Sequence, residues 1–308
     1  MPDTNLRYFY LAHGMMSFNC LTGLIEKMHK PDFVIMHGKY EQEKLELIYY
    51  EPMINLCRNN DIEIIRTDNL ESERNKLSPY RLGICAGFME IIKKDIFEIP
   101  EYGILNLHCG KLPNYRGRAP ITRAIMNGDD SIILTVHKID AGVDSGDVLY
   151  EKEIGLTDND DVNSVYDKCS SESGTAIIHC LELLKSNTVF KKQNLFEKEK
   201  PNKKITDSER KIGWNASARN IFNKIRALTI PYPCAFTEFN GAVYHINKAE
   251  MFSKDECHAR KKGEIYFVDE DYLLINCGDG LINIKDIRDK DYNKIEQHNI
   301  FKQKDIFT

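Results

Sequence analysis

Five short apolar runs recur through the first hundred or so residues: RYFYLAH (7–13), DFVIMHG (32–38), DIEIIRT (61–67), RLGICAG (81–87) and GILNLHC (103–109). Stretches with helical periodicity separate the early ones, NCLTGLIEKMHK after Gly14 and ELIYYEPMINLCRNN before Asp61. A chain that repeats strand, helix and strand at short spacing satisfies its backbone most simply as a parallel sheet, each helix carrying the crossover. The pattern predicts an α/β domain built on a mainly parallel sheet with flanking helices.

After Pro120 the text changes. ITRAIMNG reads as a helix ending at Gly128, and SIILTVHKID (131–140) as a strand entering the turn AGVDSGD. DVLYEKEI looks like its antiparallel return. Apolar spacing from Asp161 to Ser186 predicts one long helix on the sheet. Residues 186–211 are polar and Lys-rich, the composition of a solvated linker. Beyond them come a helix, ASARNIFNKIRAL, and short alternating strands (AFTEF, AVYHINKAEMF, GEIYFVDE, YLLINCG, LINIKDI), which predict a small β-barrel or sandwich. The expected division is therefore 1–203, linker included, and 204–308.

Charge and cysteine content exclude several classes. The 42 Lys and Arg against 47 Asp and Glu leave −5, which weighs against broad attraction to nucleic acid or anionic membranes. Nine scattered cysteines without a CxxC pair suggest neither a disulfide framework nor a zinc site, and a reducing cytoplasm fits best. No apolar run approaches the roughly 18 residues of a membrane span, and no secretory leader is evident.

Chemistry concentrates in NLHCGKLPNYRGRAP (106–120), at the carboxyl end of the fifth strand, where open α/β sheets bind ligands. Asn106 and His108 stand two apart and share one face of an extended segment. A carboxamide there can donate to a developing oxyanion, and an imidazole can exchange a proton near neutral pH. Read alone, the pair equally suits a loop cap. Asp144 lies in the Gly-containing turn after the next strand, where a carboxylate can orient an imidazole and raise its basicity. Lys111, Arg116 and Arg118, with Tyr115, can hold a phosphate or form an ordinary solvated loop. Neither a GxGxxG nor a P-loop fingerprint occurs.

NLHCGKLPNYRGRAP followed by TVHKIDAGVDSGDV resembles the signature of the folate-dependent formyltransferases, whose catalytic trio is Asn, His and Asp in this order. AGFMEII (86–92) is similar to the strand and loop that wall their folate pocket. IGWNASARNIFNKIRALTIPYPCAFTEFNG resembles the opening of the C-terminal domain shared by methionyl-tRNA and sugar nucleotide formyltransferases. The resemblance implies a Rossmann-like sheet, a formyltransferase fold, followed by an OB-like barrel. It also implies formyl transfer from 10-formyltetrahydrofolate to an amine without a metal. Asn106 would stabilise the oxyanion, His108 handle the proton, and Asp144 hold the imidazole. Phe88, Met89, Ile91 and Ile92 would wall the folate on one side, and Ala141, Gly142, Val143 and Asp144 on the other. One departure stands out: relatives usually carry Glu, a variable residue and Gly where this chain has Ser131, Ile132 and Ile133, and an Ile lacks the backbone freedom of Gly.

Several acceptors compete. The C-terminal domain argues against the purine-precursor enzymes and the deformylases, leaving a nucleotide-linked amino sugar or the aminoacyl end of initiator tRNA. From Lys204 to Thr308, 17 basic residues face 16 acidic ones, a weak footprint for tRNA. The LHCGKLPNYRG loop looks more like that of the sugar enzymes, and MHGKYEQEKLELI does not match the long basic insertion of the tRNA enzymes. The sequence therefore favours a dTDP- or UDP-linked amino sugar, as used in surface polysaccharides such as O-antigen, with Lys111, Tyr115 and Arg116 facing the acceptor. Analogy suggests a homodimer. Methionyl-tRNA is the alternative acceptor, and a non-catalytic sugar- or nucleic-acid-binding module the remaining reading.

Overall fold

The computed structural model describes residues 6–38, 49–88, 90–186, 188–195, 200–252 and 261–308. Two compact units emerge. The first comprises residues 1–120, 131–155 and 166–202, the second residues 121–130, 156–165 and 203–308.

The first unit is a seven-stranded sheet: β1 (Tyr8–Ala12), β2 (Phe33–His37), β3 (Glu63–Thr67), β4 (Leu82–Ala86), β5 (Ile104–Cys109), β6 (Ser131–Lys138) and β7 (Val148–Gly155). Their order is β3-β2-β1-β4-β5-β6-β7. The five strands from β3 to β5 are parallel, as the repeated strand-helix pattern predicts. β1 and β4 are buried along their whole length, which is why they read as unbroken apolar runs rather than alternating ones. One face carries Phe9, Leu11, Phe33, Ile35, Ile96 and Phe97 in a continuous core. The helices Gly14–Glu26 and Val162–Lys185 approach closely at Gly23 and Gly174, where a Cβ on Gly174 would lie 3.0 Å from the Gly23 Cα. The segment 39–48, which contains the start of the expected ELIYY helix, lies outside the described residues; Tyr50–Asn59 is helical.

β6 runs antiparallel to β5, and β7 antiparallel to β6. The departure at Ser131–Ile133 causes no break: all three residues pair in register with β7, and Ile132 is buried. The antiparallel register sets Asn106 directly opposite His137 and His108 opposite Thr135.

The Lys-rich stretch read as a linker is tied to the first unit through its backbone. Lys191 and Val148 exchange both backbone hydrogen bonds at 2.8 Å, and Asn202 bonds the backbone of Arg116 and Arg118 at 2.8 and 2.9 Å. Composition reports solvation of its side chains and says nothing of where its backbone pairs.

The second unit packs the helix Ala218–Ala227 against a five-stranded antiparallel sheet of β8 (Ala235–Phe239), β9 (Ala242–Met251), β10 (Ile265–Val268), β11 (Leu273–Asn276) and β12 (Leu281–Arg288), in the order β10-β11-β12-β9-β8. Ser217 caps the helix, its side chain accepting from the Asn220 N–H. Ile221, Phe222, Ile225 and Leu228 join Trp214, Ile246, Ile275, Ile287 and Phe307 in one core. The C-terminal segment spans the two sheet edges. Ile265 N donates to Asp305 O (2.8 Å) and Phe307 N to Gly263 O (3.0 Å), while Thr308 and Glu238 exchange bonds of 2.9 Å. The last residues thus cover both edges in a barrel-like closure. No helix among the described residues is long and apolar enough to cross a membrane.

Candidate active site

β5 delivers Asn106 and His108 to one face, and the turn after β6 brings Asp144 over that face. Asp144 adopts φ +47°, in the left-handed region where non-glycine residues are uncommon. One of its carboxylate oxygens accepts from the Gly117 N–H at 2.8 Å and lies 3.7 Å from His108 Nδ1. The other is 3.5 Å from both Asn106 Nδ2 and His137 Nε2. The three residues expected to carry the chemistry therefore meet, although 36 residues of chain separate His108 from Asp144.

His137 is the member that sequence reasoning missed. Its Nδ1 lies 3.0 Å from the Lys138 carbonyl and donates to it, which leaves Nε2 to accept from Asn106 Nδ2 at 3.1 Å. The carboxamide is held with its N–H groups toward the site. The signal was present in TVHKID, but only the β5–β6 register shows that this His faces Asn106.

His108 is buried, and its Nε2 donates to the Tyr115 carbonyl at 2.7 Å. Proton exchange therefore falls to Nδ1, the nitrogen facing Asp144. Gly110 makes this packing possible, because a Cβ there would stand 3.0 Å from His108 Nε2. Burial lowers the pKa of His108 and His137 lowers it further; Asp144 and the bond to Tyr115 oppose this without reversing it. Burial alone would raise Asp144, but the Gly117 N–H and the two histidines beside it, in their protonated forms, outweigh burial and lower it to about 2. The site thus sets a carboxylate of lowered pKa beside an imidazole biased toward its neutral form.

The other expected residues divide. Arg116 directs Nε to the Val143 carbonyl at 2.8 Å, fastening its loop to the turn that carries Asp144. Tyr115 contributes its carbonyl to His108, and Lys111 is exposed. Phe88 stacks on His37, with ring centroids 4.3 Å apart and planes 12° apart, so His37 joins the wall expected from Phe88. Met89 lies outside the described residues. Ile92 is a core residue, 7% exposed, which leaves only its backbone to a ligand, whereas Ile91 is 80% and Val143 45% exposed. Ala141 and Gly142 are exposed, and the Gly142 N–H donates to Asp140 at 3.0 Å. Among the described residues no group of three or more His, Cys, Asp or Glu is placed to hold a metal ion.

A carboxamide, an imidazole and a half-buried carboxylate therefore converge at the carboxyl end of the sheet. The chain belongs to the formyl transferase family: the family pattern "Formyl transferase" matches residues 56–181, and "Formyl transferase, C-terminal domain" residues 204–305. Its chemistry is folate-dependent formyl transfer. It is 31% identical over 276 residues to the methionyl-tRNA formyltransferase of Sulfurihydrogenibium sp. (strain YO3AOP1), covering 87% of each chain. Its fold is similar to that of the N-formyltransferase from Helicobacter canadensis in complex with folinic acid and dTDP-3-aminofucose, with a TM-score of 0.68, 22% identity, and 91% of this chain and 99% of that one covered. It is also similar to HypX from Aquifex aeolicus in complex with tetrahydrofolic acid, with a TM-score of 0.65, 17% identity and 99% of this chain covered. The chain spans about half of HypX, 51% of its length.

Proposed function

We propose that this enzyme transfers the formyl group of 10-formyltetrahydrofolate to the amine of methionyl-tRNA. The observation carrying the transfer is the convergence of Asn106 Nδ2 and His108 Nδ1 on Asp144, at 3.5 and 3.7 Å. The folate supplies an electrophilic formyl carbon when bound. Asn106, its amide steadied by His137, donates to the carbonyl oxygen as the attacking amine turns it into an oxyanion. His108 takes the proton that the amine sheds, and Asp144 stabilises the imidazolium. That proton then goes to the departing folate nitrogen as its bond to the formyl carbon breaks. Exposed Ile91 and Val143 flank the folate on the two expected walls, with the backbone of residues 141–143 reading its ring. Residues 1–203 carry this chemistry, in the cytoplasm.

Kinship supports the tRNA acceptor, with 31% identity running through both units. The loop and charge pattern favoured an amino sugar, and kinship outweighs them in this reading. A second reading, a dTDP- or UDP-linked amino sugar with Lys111 facing it, keeps the support of residues 204–308, whose charge balance of only +1 makes a poor phosphate tracker.

The test is an acceptor screen with 10-formyltetrahydrofolate, setting methionyl-tRNA against dTDP- and UDP-amino sugars. Formylation of the tRNA, abolished in His108→Ala, is the expected result. Turnover of an amino sugar alone moves the assignment to the second reading, and full activity of His108→Ala refutes the mechanism.

A further inference from the structure

The polar strap after the long helix does more than join two units. It leaves the helix at Lys185 and pairs with the start of β7 through Lys191 and Val148. That pairing carries Gln193 to the catalytic turn, where Nε2 lies 2.6 Å from the Gly146 carbonyl and 3.1 Å from that of Asp144. Both N–H groups of one carboxamide are thus committed to the turn. The amide cannot be reversed, because Oε1 would then face two carbonyl oxygens. In this orientation Oε1 is buried and meets no donor among the described residues.

A buried acceptor without a donor destabilises a fold, and an apolar side chain of similar shape would avoid that cost. What the glutamine gives in return is control of the turn. Asp144 sits at φ +47°, a strained backbone for a residue with a Cβ, and such strain persists only where surroundings over-determine it. Arg116 holds the carbonyl of residue 143, and Gln193 those of 144 and 146. Asp140 ties the turn from within, accepting from the Gly142 N–H at 3.0 Å and the Ser145 hydroxyl at 2.5 Å, but neither bond reaches the carbonyls of 144 and 146.

We propose that Gln193 is a positioning residue for formyl transfer: by gripping the main chain of Asp144 and Gly146 it aims the Asp144 carboxylate at His108 and His137. The inference rests on the formyl-transfer reading. It assigns a task in the reaction to a residue in what composition marks as linker.

Gln193→Met keeps the length and removes both donors together with the orphan acceptor; Gln193→Ala removes the same groups with less bulk and serves if the first does not fold. The probe is the His108 ring, titrated by NMR in full-length protein labelled at histidine and assigned from the His108→Ala spectrum. Asp144 and His137 are the titratable groups facing that ring, and only the aim of Asp144 depends on Gln193. The variant should melt close to wild type. Its His108 midpoint should fall by about half a unit or more as the carboxylate turns away. With the acceptor found in the screen, kcat should drop roughly tenfold, with KM for the folate nearly unchanged. A folded variant with a wild-type His108 midpoint and wild-type kcat overturns the proposal. Failure of the formyl-transfer reading would show separately, as a wild-type enzyme that turns over no acceptor while its His108 still titrates.

Discussion

Gly110 offers the sharpest steric test of the site. In Gly110→Ala the new Cβ would stand 2.8 Å from the Cβ atoms of both Tyr115 and Pro120 and 3.0 Å from His108 Nε2. Carbon atoms rest at roughly 3.5 Å or more, so about 0.7 Å must be found on each side. Both opposing Cβ atoms are fixed to their backbones and cannot rotate away. The displacement must therefore pass into the loop or into His108. A shift of that size stretches the 2.7 Å bond from His108 to the Tyr115 carbonyl beyond the ordinary range of roughly 2.7–3.2 Å and weakens it. Overpacking of this kind costs about 1–3 kcal/mol, a fall in Tm of several degrees for a chain of this size. A misplacement of about 1 Å costs on the order of 100-fold in rate, so kcat should fall roughly 10- to 100-fold, with KM for the folate little changed. Thermal melting and steady-state kinetics with the acceptor from the screen measure both. An Ala enzyme with wild-type Tm and kcat would show that residues 110–120 do not pack around His108 as described.

Other expectations follow from the same structure. Asp144 is held near pH 2, below its ordinary 3.8, so the stability its carboxylate adds is present above pH 3.8 and lost as pH falls through about 2. Asp144→Asn should erase that step, roughly 2 kcal/mol, making the urea midpoint fall less steeply between pH 4 and 2; an unchanged slope would contradict the assignment. The pKa of His108 is lowered from 6.5, so the unfolded chain takes up the proton first and the native state loses stability as pH drops below 6.5. His108→Gln should flatten the stability profile from there down to the native midpoint, and a wild-type profile would argue against a buried neutral imidazole. Phe307, 2% exposed and stacked on Trp214 with centroids 5.9 Å apart, anchors the segment that closes the second sheet. Phe307→Ala should cost about 3–5 kcal/mol, followed in urea by the fluorescence of the chain's single tryptophan.

Much of this architecture was legible because it is local. The strand Ala235–Phe239 coincides with AFTEF, and the helix Val162–Lys185 lies within the span set by its apolar spacing. Asn106 and His108 could be paired on one face because a strand alternates sides every residue, whatever it packs against. Where the backbone of the polar 186–211 stretch pairs was not legible, for the converse reason. Its backbone bonds to Val148, Arg116 and Arg118 depend on partners far away in sequence.

The sequence alone therefore indicated the parallel sheet, its helices and the strands of the second unit, since periodicity and turn chemistry are written along the chain, and motif order singled out Asn106, His108 and Asp144 as a candidate trio. Only tertiary structure decided how that trio is held. The antiparallel register that sets His137 against Asn106, the Tyr115 carbonyl that occupies His108 Nε2 and the grip of Gln193 on the Asp144 turn are each products of long-range pairing. A hydrogen bond between distant residues leaves no periodicity in either segment. Its direction depends on a register that the neighbouring strand sets.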